Sequence, residues 1–298
     1  MSKARTLLAA TDLSAPARHA AERAAQLAQR HSGARLTLAH AVSGGGLDVL
    51  WRLLPGEAGA LEGELFERAG KDLAALAAEL ASHYGCPVDA VLVRGSPTAS
   101  LATLAEARGA DLLVMGVPGA RFLRELLPAP TAERMLRNAC RPVLIVKQRP
   151  QAPYRRILAA VDFSAHAAAA VDAVHAWLPD ADIVLMNAFE AEFESTLRLA
   201  GVRDDTIHAY RIRAREAAKA EMDAFVGRLE VPRDRLARHF VHGAAALRIV
   251  EHERTFDADL IVMGKRGKSI MEELLLGSVT REVLAHCTSD VFIAGSAA

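Results

Sequence analysis

Ala110-Asp-Leu-Leu-Val-Met-Gly116 returns later in the chain as Ala258-Asp-Leu-Ile-Val-Met-Gly264, 148 positions on. Each stretch is a short apolar run behind an aspartate and ends in glycine, the pattern of a buried strand. The same offset of 148 aligns Gly95 with Gly243, and Val143-Leu-Ile with Val291-Phe-Ile. Upstream, Thr6-Leu-Leu-Ala-Ala-Thr-Asp-Leu-Ser14 matches Arg156-Ile-Leu-Ala-Ala-Val-Asp-Phe-Ser164 at an offset of 150. Offsets this regular mark an internal repeat. The change from 150 to 148 puts a small length difference between the motifs, in the loop after the second strand. One α/β domain is written twice.

Each copy alternates strand and helix signals. In the first, apolar residues 6–11 predict a strand, and alanine-rich 15–31 a helix capped by Ser14. Strands follow at 35–42, 88–94, 111–115 and 142–147, with helices at 61–84, 97–109 and near 131–139. Residues 43–60, with Gly44-Gly-Gly46 and Pro55-Gly56, read as irregular. Within them Leu47, Val49, Leu50, Trp51, Leu53 and Leu54 form an apolar cluster, a candidate cover or contact surface. Residues 156–295 repeat the order. Strand–helix–strand alternation implies right-handed crossovers and a mostly parallel sheet covered on both faces. The polar segment Lys147–Pro153, with two prolines, separates a domain 1–149 from a domain 154–298.

Composition narrows the class. Of 298 residues 51% are hydrophobic, enough for sizeable cores, and 36 bases balance 36 acids. No basic stripe points to nucleic acid. No apolar run approaches the ~20 residues of a membrane span, and the opening residues read as too short for a signal peptide. Cys86, Cys140 and Cys287 are scattered, neither a disulfide framework nor a zinc site, and fit reduced thiols in a cytoplasm.

Ligands of open α/β sheets sit beyond the carboxyl ends of the strands. In the second copy Asp162, Ala188 with Phe189, and Met263-Gly264-Lys-Arg-Gly267 are expected there. Gly264 and Gly267 lack a Cβ, so the backbone can approach a ligand and offer successive N–H groups to an anion. Nine residues on, Gly277-Ser278-Val279 opens a helix whose free N–H groups and dipole favour phosphate, with the Ser278 hydroxyl beside them. Arg266, Lys265 and Lys268 supply positive charge. Asp12 and Asp162 also suit a turn before a helix.

Gly-x2-Gly-x9-Gly-Ser after an Ala-Asp-Leu-Ile-Val-Met strand resembles the ATP-binding signature of universal stress proteins. The Val161-Asp-Phe-Ser164 and Val241-His-Gly243 stretches fit that family too. The likeness runs through both halves. It implies two tandem Rossmann-like domains, each a five-stranded mostly parallel sheet with helices on both faces. They would pair through their last strands, near 143–146 and 291–294, and two such chains would form a homodimer. The ligand implied is ATP, or ADP or AMP, with or without Mg2+. Asp162 would lie near ribose or adenine and the Ala188 backbone beside adenine. Met263, Gly264, Arg266, Gly267, Gly277, Ser278 and Val279 would line ribose and phosphates. Ala188 departs from the family, where valine is frequent. The role implied is nucleotide-dependent interaction with a protein partner in a stress response. No general base is evident, so hydrolysis is expected to be slow. A slow ATPase or adenylyl-transferring enzyme, and a nucleotide-free scaffold, are the alternatives.

The first copy keeps Gly116 and Gly119, but Val117 and Pro118 stand between them, and Ala129-Pro130-Thr131 replaces Gly-Ser-Val. Pro130 removes an N–H and the hydroxyl, though it suits a helix start. Weak or absent triphosphate binding is expected there. Three other readings are set aside. Gly267-Lys-Ser269 is not a P-loop, because the motif's first glycine would fall at Val262, inside a strand. His239, His242 and His252 lack zinc spacing, and the first two would face opposite sides of a strand. Cys140 and Cys287 have no base near them in sequence.

Overall fold

The computed structural model describes residues 4–42, 58–116, 141–190, 194–265, 267 and 276–295, with the backbone alone at 58–62, 195 and 198. The apolar cluster at 47–54, the helix expected near 131–139, Gly119, Ala129, Pro130, Thr131, Cys140, Arg266 and Lys268 lie outside the described residues. The chain divides into two compact units, Met1–Pro153 and Tyr154–Ala298.

The first unit runs β1 (Thr6–Ala10), α1 (Ala15–Gln29), β2 (Arg35–Val42), α2 (Ala58–Tyr84), β3 (Val88–Arg94), α3 (Pro97–Ala107), β4 (Leu112–Gly116) and β5 (Val143–Val146). The strand order is β3-β2-β1-β4-β5, and every pairing is parallel. Leu7, Leu8, Val114 and Ile145 are fully buried, as befits central strands covered on both faces. Ala20, Ala21, Ala24 and Ala25 form a fully buried stripe on α1, and side chains this small let the helix lie close against the sheet. Helix α2 starts at Ala58, three residues before the expected start at 61. Helix α1 stops at Gln29, two residues before the expected end. Buried Arg23 on α1 donates to the carbonyl of Ala152 at 2.8 Å, tying the interdomain segment to the first unit.

The second unit repeats the plan as β6 (Arg156–Ala160), α4 (Ala165–Trp177), β7 (Asp182–Phe189), α5 (Glu194–Leu199), α6 (Asp204–Val226), β8 (Leu236–His242), α7 (Ala245–Thr255), β9 (Leu260–Gly264), α8 (Ser278–His286) and β10 (Asp290–Ala294). Its order is β10-β9-β6-β7-β8, again parallel throughout. The short helix α5 was not legible from periodicity. Its first residue, Glu194, takes a bidentate pair of bonds from Arg211 of α6 and lies 3.0 Å from Nε2 of His242 at the end of β8.

The aspartate of the repeated motif has the same work in both units. Asp111 Oδ2 accepts the Thr6 N–H at 2.9 Å. Asp259 accepts the N–H groups of Arg155 and Arg156 at 2.9 and 3.1 Å. Each closes the amino end of the neighbouring first strand, where an unpaired amide is unfavourable.

The three histidines split as strand geometry requires. His242 stacks edge-on to Phe189, while His239 packs against His252 of α7 (centroids 4.8 Å apart) and edge-on to Phe256 (5.0 Å). Burial, joined by the charges of His252 and Arg215, holds the His239 imidazole below its ordinary range, and its Nε2 has no hydrogen-bond partner among the described residues. The unfolded chain takes up a proton near pH ~6.5, before folded His239 does. Stability from this group is therefore complete above that pH and is lost as pH falls through the lower folded value. Urea unfolding at pH 7.5 and 5.5 is expected to show a smaller acid loss in His239→Phe than in the native chain. Equal losses would remove His239 from the explanation.

Candidate functional site

In the second unit the chain winds one way from β6 through β7 to β8 and the other way to β9 and β10. The reversal leaves a crevice at the carboxyl ends of β6 and β9, where open α/β sheets take ligands. A cavity of ≈ 170 Å³ lies there. Asp162 borders it after β6, Ala188 near the end of β7, and Met263 and Gly264 at the end of β9. Gly267 and the segment Gly277-Ser278-Val279 complete that wall. Eight of the nine residues that the family resemblance implies therefore meet around one cavity; the ninth, Arg266, is outside the described residues, and Phe189 and Lys265, also expected here, do not line it.

Asp162 is held by a tight turn. Its Oδ1 accepts the Ser164 N–H at 3.0 Å, and Ser164 Oγ caps α4 by accepting the Ala167 N–H at 3.1 Å. The turn drives Phe163 to φ +64, a conformation unfavourable for a bulky residue. Packing holds it there. Phe163 is buried edge-on to Phe225, with centroids 5.9 Å apart, and its carbonyl accepts from Arg228 at 3.1 Å. The turn role and the cavity position of Asp162 coexist, because its Oδ2 faces the loop. A Cβ added at Gly267 would lie 3.1 Å from that oxygen, so glycine allows the close approach.

Across the cavity α8 begins with Gly277 as N-cap, a residue with no side chain to bond the first-turn amides. Ser278 is exposed and Gly277 buried. These amides and the helix dipole form a positive terminus directed to the crevice. Thr280 Oγ1 reaches the Gly264 carbonyl at 3.5 Å, the limit of a hydrogen bond.

Residues that sequence reading overlooked also line the cavity, among them Ala245 and Ile249 of α7 and Asn187 of β7. Ala245 and Ile249 lie on one helix face, and only the fold turns that face to the cavity. Asn187 carried a readable signal: it is a polar residue inside the apolar run Ile183-Val-Leu-Met186 to Ala188-Phe.

The first unit reproduces the turn. Ser14 N–H donates to Asp12 Oδ1 at 3.0 Å, Ser14 Oγ accepts from Ala17 at 3.4 Å, and Leu13 also has φ +64. The glycine that ends β4 is tightly placed: a Cβ on Gly116 would collide with the Pro16 carbonyl oxygen.

The profile of the Universal stress protein family matches residues 3–147 and again 153–295. The chain belongs to the universal stress protein family, in a tandem, two-domain form. Two relatives from Methanocaldococcus jannaschii are similar to it. Universal stress protein MJ0531 is 33% identical over 85 residues, 28% of this chain and 50% of that protein. Universal stress protein MJ0577 is 30% identical over 89 residues, 30% of this chain and 54% of that protein. The chain thus spans about half the length of these relatives. Among solved structures, a universal stress protein from Archaeoglobus fulgidus DSM 4304 aligns with TM-score 0.65 at 17% identity, over 99% of each chain. The functionally unknown protein PA1789 from Pseudomonas aeruginosa PAO1 aligns with TM-score 0.63 at 21% identity, over 99% of this chain and 94% of that one. At such identities the likeness shows the fold. No described helix is long and apolar enough to cross a membrane.

Proposed function

We propose that the second unit binds an adenine nucleotide in the cavity between Asp162 and Ser278, and that the protein works in a cytoplasmic stress response through nucleotide-dependent interaction with a protein partner. The supporting observation is the glycine-capped N-terminus of α8 beside Gly264 and Gly267 on the same cavity. Helix N-terminal amides and glycine backbone are the chemistry that phosphate recognition uses. The cavity is smaller than the ~300–1,000 Å³ usual for drug-sized ligands, so the base and sugar would be buried and the phosphates would extend over the loop. In this reading Asp162, on the cavity wall, would accept from a ribose hydroxyl.

In this reading the first unit is the structural partner. Its Ala129-Pro130 offers one amide fewer and no hydroxyl to an anion. Isothermal titration of the full chain with ATP, ADP and AMP, each with and without Mg2+, tests the assignment. One site per chain is expected. Two equal sites would contradict the asymmetry, and no heat with any nucleotide would favour a nucleotide-free scaffold. The same reading takes the chain as a homodimer, which light scattering of ATP-loaded protein checks.

A further inference from the structure

One face of α7 joins the cavity to a pair of histidines. Ala245, Ile249, His252 and the C-cap Phe256 follow at spacings of 4, 3 and 4, so they share that face. Ala245 and Ile249 line the cavity. Further along the helix, His252 and Phe256 pack on His239 of β8, with ring centroids 4.8 and 5.0 Å away. His239 is also the register partner of Met186 on β7, which lines the cavity too.

The surroundings of His239 suit only the neutral ring. Its Nε2 is buried and has no hydrogen-bond partner among the described residues. An imidazolium carries an N–H on both nitrogens, so protonation would set a charged donor there without an acceptor, an unfavourable arrangement. The groups whose charge acts on His239 are His252 of α7 and Arg215 of α6, and both disfavour a second positive charge. Its neighbour on β7, Met186, is uncharged.

The first unit shows that the strand–helix plan does not require this pair. By register and by the offset of 148, Val91 and Leu104 stand where the second unit has His239 and His252. The titrating pair occurs in the unit with the intact glycine loop.

On the adenine-nucleotide reading given above, we propose that His239 makes nucleotide binding pH-sensitive: its protonation unseats α7 from β8 and so displaces the cavity wall that Ala245 and Ile249 form. Glu253, on the same helix, holds the segment after α8, so α8 is disturbed with it. The sign follows from the lowered folded value. The ring is neutral at pH 7 and above, where affinity is full. Affinity is lost as pH falls through the folded value, which lies below the ordinary ~6.5.

Two measurements on the full chain test this. Hydrogen exchange of the α7 amides, corrected for the intrinsic pH dependence of exchange, reads the helix without ligand. Between pH 7.5 and 5.0 the native chain is expected to lose roughly tenfold or more protection in α7, while β6 and β9 keep theirs and His239→Phe changes little. Titration with ATP at the same two pH values reads the cavity. The native chain is expected to lose at least about threefold more affinity than His239→Phe, a comparison that cancels the titration of the ATP phosphates. Unchanged α7 protection in the native chain would overturn the proposal even if the variant failed to fold, and so would a loss spread evenly over α7, β6 and β9. Equal acid losses of ATP affinity in the two proteins would overturn it as well. No ATP binding at either pH would refute the nucleotide site itself, whereas binding at pH 7.5 that persists in full at pH 5.0 would refute the proton sensor alone.

Discussion

Gly277→Asp is expected to abolish nucleotide binding while leaving the fold intact or slightly more stable. Gly277 is the N-cap of α8 with φ −56 and ψ 144, a conformation open to any residue. Aspartate is a favoured cap, and its charge suits a helix N-terminus, so stability is expected to stay level or rise by about 0.5–1 kcal/mol. The same carboxylate would occupy the first-turn amides and set a negative charge where phosphate is proposed. Two unit charges ~4 Å apart interact by about 4 kcal/mol at an effective dielectric of ~20. Affinity for ATP should therefore fall by at least about 100-fold. Titration calorimetry read beside a thermal melt separates the two effects. Native-like ATP affinity in a folded Gly277→Asp would remove the α8 terminus from the site. Ser278→Ala is the milder companion: it deletes one hydroxyl and should weaken ATP about tenfold or less.

The largest stability effect is expected at Glu253. This residue of α7 is 3% exposed, and its Oε1 accepts from the backbone N–H and hydroxyl groups of both Thr288 and Ser289. It thereby clamps α7 to the segment that joins α8 to β10. The Ser289 hydroxyl also lies 2.7 Å from the Ala258 carbonyl, and its single proton serves either that oxygen or Glu253. Hydrogen bonds to a charged group are each worth ~1.5–3 kcal/mol, and removing one partner strands the others in the interior. Glu253→Ala is expected to cost about 3–5 kcal/mol, in the range seen when a buried charged partner is deleted. Glu253→Gln retains acceptor and shape and should lose roughly half as much. Urea unfolding at neutral pH measures both. A loss below ~1 kcal/mol in Glu253→Ala would mean that water serves Thr288 and Ser289 equally well.

Both effects sit on features of different legibility. Gly277 belongs to a pattern with fixed spacing, because the chain from β9 to α8 must return to the same crevice. Glu253 belongs to no pattern. The first copy has Ala105 at the corresponding place, 148 positions earlier, and nothing local says that a glutamate on α7 faces a turn 35 residues on. The same holds for the cavity. Asp162, Gly264 and Gly277 were readable because each ends a strand or opens a helix. Ala245 and Ile249 were not, since helical spacing shows that residues share a face and is silent about what that face meets.

The sequence by itself determined the repeat, the strand and helix order, the parallel sheet, and the glycine loop expected beyond the carboxyl ends of the strands. These follow from local rules: apolar runs, capping serines, and glycine where a Cβ would obstruct. Tertiary structure alone decided three things. It put α7 against the cavity through Ala245 and Ile249. It locked Phe163 at φ +64 by burying it against Phe225. It tied the second strand to the aspartate-bearing turn through Asn187 in one unit and His40 in the other. The physical reason is common to all three: each depends on contacts between residues far apart in the chain, and pairing energies of that kind exist only once the sheet has brought them together.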